Sequence, residues 1–147
     1  MPNKRKYKIV LDSVVFVSAF ITQNGLAAKI LDKSAEKAEI YIAEEILQEI
    51  RCVLLEKVHL RSRFPYSDAN VARFIEALRT ICVVIASLPQ LQVIERDPKD
   101  DMIIACAVAA QADYIVSRDL DLLDLKEYRG IQIIPPEDFI HFLRNLH

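Results

Sequence analysis

Glycine is nearly absent from these 147 residues, with Gly25 and Gly130 the only two. Glycines that far apart cannot form a G-x-G-x-x-G dinucleotide loop or a G-x-x-x-x-G-K-[ST] phosphate loop, so both are excluded. Tryptophan is missing and tyrosine occurs five times, which argues against base stacking on aromatic rings as the main way of holding a single strand. Cys52, Cys82 and Cys106 are odd in number and show no C-x-x-C spacing. The apolar neighbours of Cys82 and Cys106 suit small buried side chains better than a disulfide framework or a thiolate zinc site. His59, His141 and His147 form no H-x-x-x-H pair. No apolar run reaches the ~20 residues of a membrane span. Met1 to Lys8 is basic, but the apolar run behind it ends at Asp12, so no secretory signal is expected. With 19 basic and 21 acidic residues the formal net charge is −2. That balance excludes a polybasic surface but allows a local basic patch. The expectation is a soluble, cytoplasmic protein of a reducing compartment.

What is present is apolar. Hydrophobic residues make up 52% and charged residues 27% of a 16.8 kDa chain, enough for the core of one domain over residues 1–147. Ile9-Val10-Leu11 fits a buried strand. The apolar stretch Val14 to Phe20 is either strand or helix, since periodicity does not separate them. Leu26, Ile30 and Leu31 mark a helical stripe after Gly25, and Glu39 to Ala43 is a second short strand. Ala43 to Lys57 has the spacing of an amphipathic helix. Ser67 can cap another helix carrying Val71, Phe74, Ile75 and Leu78. Ile81 to Ala86 is a strand or that helix's tail, and Pro89 to Asp97 is a connector. Asp97-Pro98-Lys99-Asp100-Asp101 has the proline and first-turn acids of a helix start, and Met102 to Ala110 behind it is apolar all round. Asp113 to Ser117 is a strand, Asp119 to Asp124 an acidic turn, and Ile131 to Ile134 the last strand before a helix from Pro135-Pro136. Strands alternating with helices predict an α/β domain with a mainly parallel sheet.

In such sheets ligands gather beyond the carboxyl ends of the strands. Asp12 ends the first strand, Asp119 follows the strand ending near Ser117, and Asp101 stands in the first turn of the alanine-rich helix. Glu49 falls about 40° outside the apolar arc of its helix. Taken singly, Asp97, Asp100 and Asp101 suit helix caps, Glu49 a solvated flank, and Asp119, Asp121 and Asp124 a polar turn. Asp12 is harder to place in that way, because a charge ending a buried strand loses its hydration. Carboxylates gathered together repel unless a cation or proton lies between them, and an all-oxygen set suits Mg²⁺ or Mn²⁺ better than zinc.

These segments carry a family resemblance. Ile9-Val10-Leu11-Asp12-Ser13, Glu45-x-x-x-Glu49, Asp97-Pro98-x-Asp100-Asp101-x-Ile103-x-Ala105-x-Ala107 and Ala112-Asp113-Tyr114-Ile115-Val116-Ser117-Arg118-Asp119-x-Asp121-Leu122-Leu123 resemble a PIN domain. The likeness is nearest to the VapC-like toxins of toxin–antitoxin systems. It implies a three-layer α/β/α fold and a metal-dependent ribonuclease that hydrolyses RNA phosphodiester bonds. By that likeness Asp12, Glu49, Asp101 and Asp119 form the acidic quartet holding Mg²⁺ or Mn²⁺, with Ser13, Ser117 and Asp121 supporting it. It further implies RNA as substrate, an antitoxin protein as partner, and a homodimer. The family's first motif usually has asparagine two residues after the aspartate, where this chain has Val14. Losing such a supporting hydrogen bond costs ~10–100-fold in metal affinity or activity. The alternative reading is therefore a catalytically weakened PIN-like module that binds RNA or protein. Two basic stretches, Lys4 to Lys8 and Arg51 to Arg63, are candidate phosphate contacts or ordinary solubilising surface. Phe64 and Phe74 suit either a partner interface or the core.

Overall fold

A computed structural model describes residues 6–90 and 98–146, without the side chains of residues 98 and 99. It opens with strand β1 (Tyr7–Leu11), helices α1 (Ser13–Ile21) and α2 (Leu26–Lys37), strand β2 (Ala38–Ala43), and helices α3 (Glu44–Glu56), α4 (Val58–Arg63) and α5 (Asp68–Ile81). Strand β3 (Val83–Ile85), helix α6 (Pro98–Ala110), strand β4 (Tyr114–Val116), helix α7 (Leu120–Leu125), strands β5 (Glu127–Tyr128) and β6 (Ile131–Ile134), and helix α8 (Pro136–Arg144) follow.

The strand order is β3-β2-β1-β4-β6-β5, parallel except for β5, which pairs antiparallel with β6. β1 lies between β2 and β4 with helices packed over the sheet, and Ile9, Val10 and Leu11 are fully buried. That accounts for a continuous apolar run instead of an alternating one. The chain runs outward from β1 through β2 to β3, then crosses back to β4 on the other side of β1. Right-handed crossovers in opposite directions put their helices on opposite faces. In keeping with this, α1 packs on α2 and α3, and α3 packs on α5. α2 and α3 also pack on β2 and α5 on β3, whereas α6 packs on all of β1, β2, β3 and β4. The result is a three-layer α/β/α arrangement.

The apolar stretch after Asp12 forms helix α1, and the ambiguous stretch after residue 80 divides into the end of α5 and the edge strand β3. The connector from Pro89 to Asp97 falls mostly at residues 91–97, outside the described residues. Ser67 caps α5 in a reciprocal box, its Oγ accepting from the Asn70 N–H at 3.0 Å while Asn70 Oδ1 accepts from the Ser67 N–H at 3.0 Å. The segment expected as an acidic turn is the short helix α7, because Asp119 caps it and Leu122 is drawn into the core. The β5–β6 hairpin turns at Arg129 and Gly130, with φ of 50° and 84°. Two successive left-handed residues match the twist of such a hairpin, and glycine adopts the second without strain. Cys82 and Cys106 are buried, and burial pushes both thiols up to about 12, as small apolar side chains require. Among the described residues no single helix is long and apolar enough to cross a membrane.

Candidate active site

Four carboxylates line one cavity of about 240 Å³ at the carboxyl end of the sheet: Asp12, Glu49, Asp100 and Asp119. Ser13, Val14, Val17 and Val53 complete its wall. This is where the strand order reverses, because β1 sends its chain to one side and β4 receives it from the other. The Asp12 N–H extends the β1–β4 ladder by donating to the Val116 carbonyl at 3.0 Å. Asp12 is therefore held by backbone, as is the start of α1 directly after it.

Ser117 ties the two strand ends together. Its buried hydroxyl donates to Asp12 Oδ2 at 2.7 Å and accepts from the Asp119 N–H at 2.9 Å. Ser13 Oγ makes a longer contact with Asp12 Oδ1, 3.4 Å. Asp119 Oδ1 accepts from the Asp121 N–H at 2.9 Å, which caps α7. Capping occupies part of one carboxylate, and a second oxygen remains for other contacts. Burial raises the pKa of Asp12, and the hydrogen bonds from Ser117 and the Ser13 backbone oppose that rise. The like charges of Asp119 and Glu49 raise it further. Three carboxylates, Asp100, Asp119 and Asp121, also offer oxygens within 4.8 Å of one another. Two neighbouring acid groups thus share Asp100 and Asp119. An all-oxygen donor set with mutual repulsion suits a hard divalent cation, which would remove the repulsion.

The expected set Asp12, Glu49, Asp101 and Asp119 is rearranged at one position. The cavity takes Asp100 and not Asp101. The cause is the phase of α6. Asp100 lies nine residues before the exposed Ala109, about 180° around the helix. It shares the inner face with Ile103, Ile104 and Ala107 and is only 4% exposed. Asp101 is turned about 100° away and is half-buried. Ser13 and Ser117 both touch Asp12, and Asp121 stands beside Asp119, all within the one site. Val14 lies at the cavity with 55% of its surface exposed and no hydrogen-bonding group to offer. Phe64 and Phe74 line a separate cleft of about 660 Å³ with Phe20 and Tyr66.

Comparison with known proteins gives the class. The chain matches the PIN domain family over residues 8–121, and it belongs to that family. Among curated proteins, an uncharacterized protein of Methanocaldococcus jannaschii is 32% identical over 126 residues. That match covers 85% of this chain and 79% of the relative. Two solved structures share the fold. PAE2754 from Pyrobaculum aerophilum superposes with a TM-score of 0.61 at 17% identity, covering 95% of this chain and 91% of that one. A chain of VapBC2 from Rickettsia felis, crystallised bound to a DNA fragment from the complex's promoter, gives 0.58 at 13% identity. It covers 87% of this chain and 98% of that one.

Proposed function

We propose that this PIN-domain protein is a Mg²⁺- or Mn²⁺-dependent ribonuclease, the toxin of a toxin–antitoxin pair. The observation that carries this is the convergence of Asp12, Glu49, Asp100 and Asp119 on one cavity at the crossover point of the sheet. Asp12, Glu49, Asp100 and Asp119 hold the cation, with Asp121 within reach of the last two. Once bound, the cation supplies Lewis acidity to the scissile phosphate and acidifies the attacking water. Ser117 fixes the angle between Asp12 and Asp119 through its two hydrogen bonds. Support for the toxin reading comes from family membership and from the shared fold of VapBC2. An antitoxin partner, a homodimeric state and action in the cytoplasm belong to the same proposal.

Val14 favours a second reading, a PIN-like module that binds without cutting, because its side chain can neither donate nor accept at the cavity. One experiment separates the two. Purified protein is incubated with a mixed RNA pool in Mn²⁺, Mg²⁺ or EDTA, beside Asp100→Asn and Asp101→Asn. Metal-dependent cleavage lost in Asp100→Asn establishes the nuclease. Mn²⁺ binding and RNA binding without cleavage establish the module.

A further inference from the structure

Val14 belongs to two cavities. On one side it lines the acidic site; on the other it lines a cleft of about 210 Å³ with Ser18, Thr22, Arg118 and Pro136. Val14, Ser18 and Thr22 recur every four residues, so they run as one stripe along α1 to the turn behind it. All three are exposed. The two cavities are therefore neighbouring stations that adjoin at Val14, the ridge between them.

The stations differ in charge. The first is built of carboxylates, and among the described residues no cation lines it. The second is lined by Arg118 and, among the described residues, by no carboxylate. Arg118 sits between Ser117 and Asp119, whose backbones are both pinned. The Ser117 N–H donates to the Ile134 carbonyl at 3.2 Å, and the Asp119 N–H donates to Ser117 Oγ. Alternation along the chain sends Arg118 outward from a fixed base while its neighbours face the metal site. Its guanidinium meets Glu137 in the first turn of α8, an ion pair with both partners more than half exposed. Exposed pairs of this kind are weak and exchange readily. A phosphodiester presents two non-bridging oxygens to the planar fork of a guanidinium, as a carboxylate does, and can take the place of Glu137 there.

We propose that the two cavities together form a channel that holds an RNA strand, with Arg118 binding the phosphate next to the one at the carboxylates. Val14 is then the apolar ridge over which the intervening nucleoside passes, and Glu137 keeps the guanidinium extended until the phosphate replaces it. This rests on the ribonuclease reading and assigns the substrate path that the acidic residues alone leave undefined. It also gives valine a use at a position where a polar side chain would be solvated.

The test is binding, separate from cleavage. A fluorescent single-stranded RNA oligomer, recovered intact from Ca²⁺ buffer, is titrated with wild type, Arg118→Ala and Glu137→Gln over a range of salt. Mn²⁺ affinity of each protein is measured alongside. Arg118→Ala is expected to weaken RNA binding about tenfold and to lower the slope of log Kd against log salt by about 0.7, one phosphate contact on a single strand. Glu137→Gln is expected to tighten binding about threefold, and neither variant should alter Mn²⁺ affinity. Unchanged affinity and salt slope in both variants would overturn the channel while leaving the ribonuclease standing. A wild type that takes up Mn²⁺ and holds no RNA would overturn both.

Discussion

Asp12 is held by backbone and by Ser117 at a place where burial and two neighbouring acids disfavour its charged form. Its folded pKa lies above the ordinary 3.8. Its protonated form therefore favours folding below that value, and the contribution disappears as pH rises through the folded pKa. In metal-free protein at pH 7, Asp12→Asn should raise the melting temperature, because the neutral amide keeps an oxygen for Ser117 without the repulsion. Mn²⁺ titration of the same variant should show binding lost. A lower melting point would mean that the repulsion is not felt in the apo protein. At the same scale, Asp100→Asn should abolish metal-dependent cleavage, while Asp101→Asn should retain most of it, read as single-turnover rates on one RNA. Ser117→Ala removes both hydrogen bonds that orient the acids and should cost ~10–100-fold in metal affinity with the fold intact. Circular dichroism beside the Mn²⁺ titration checks both halves of that statement.

Elements were legible in proportion to how one-sided they are. α3 and α5 present their apolar residues on one face, and the spacing places both ends of α3 and the start of α5 within a residue or two. Ser67 announces the start of α5, and Ser67→Ala should cost about 1 kcal/mol, or roughly 3 °C in a domain of this size by thermal melting. α6 is the opposite case. Ile103, Ile104, Ala105, Cys106 and Ala107 are all buried, so the apolar pattern has no gap from which to fix the helix's rotation. Two adjacent aspartates at its start then cannot be ranked from spacing, and packing against four strands makes the choice. α4 and β5 escaped for another reason. They are six and two residues long, too short for either period to repeat, and α4 has no buried residue to mark it.

For the whole molecule, the strand order followed from alternating strands and helices only as far as "mainly parallel"; the reversal at β1 needed the pairing itself. The pH response also belongs to this scale, because groups of opposite tendency add. Glu44 at the start of α3 accepts from both terminal nitrogens of Arg79 in α5, at 2.7 and 2.8 Å. Those bonds, with help from Gln48, lower its pKa to about 2. A depressed carboxylate supports folding above its unfolded value, and that support fades as pH falls toward 2. Acid unfolding of Arg79→Ala should therefore vary less steeply with pH between 4.5 and 2 than that of wild type, followed by circular dichroism. Asp12 works in the other direction over the acid range, so the metal-free protein should be most stable at mildly acidic pH.

The reversal of strand order at β1 has a consequence for how the chain can be divided. Asp12 and Glu49 precede the link between β3 and α6, and Asp100 and Asp119 follow it. A cut there leaves each fragment with half of the acids and no cavity. The two pieces are joined by the β1–β4 ladder and by α6 lying across β1, β2 and β3. On the proposed toxin reading, two fragments expressed separately should each be harmless to a cell and become toxic only on reassembly. Split-gene complementation, with growth arrest as the reporter, tests that outcome.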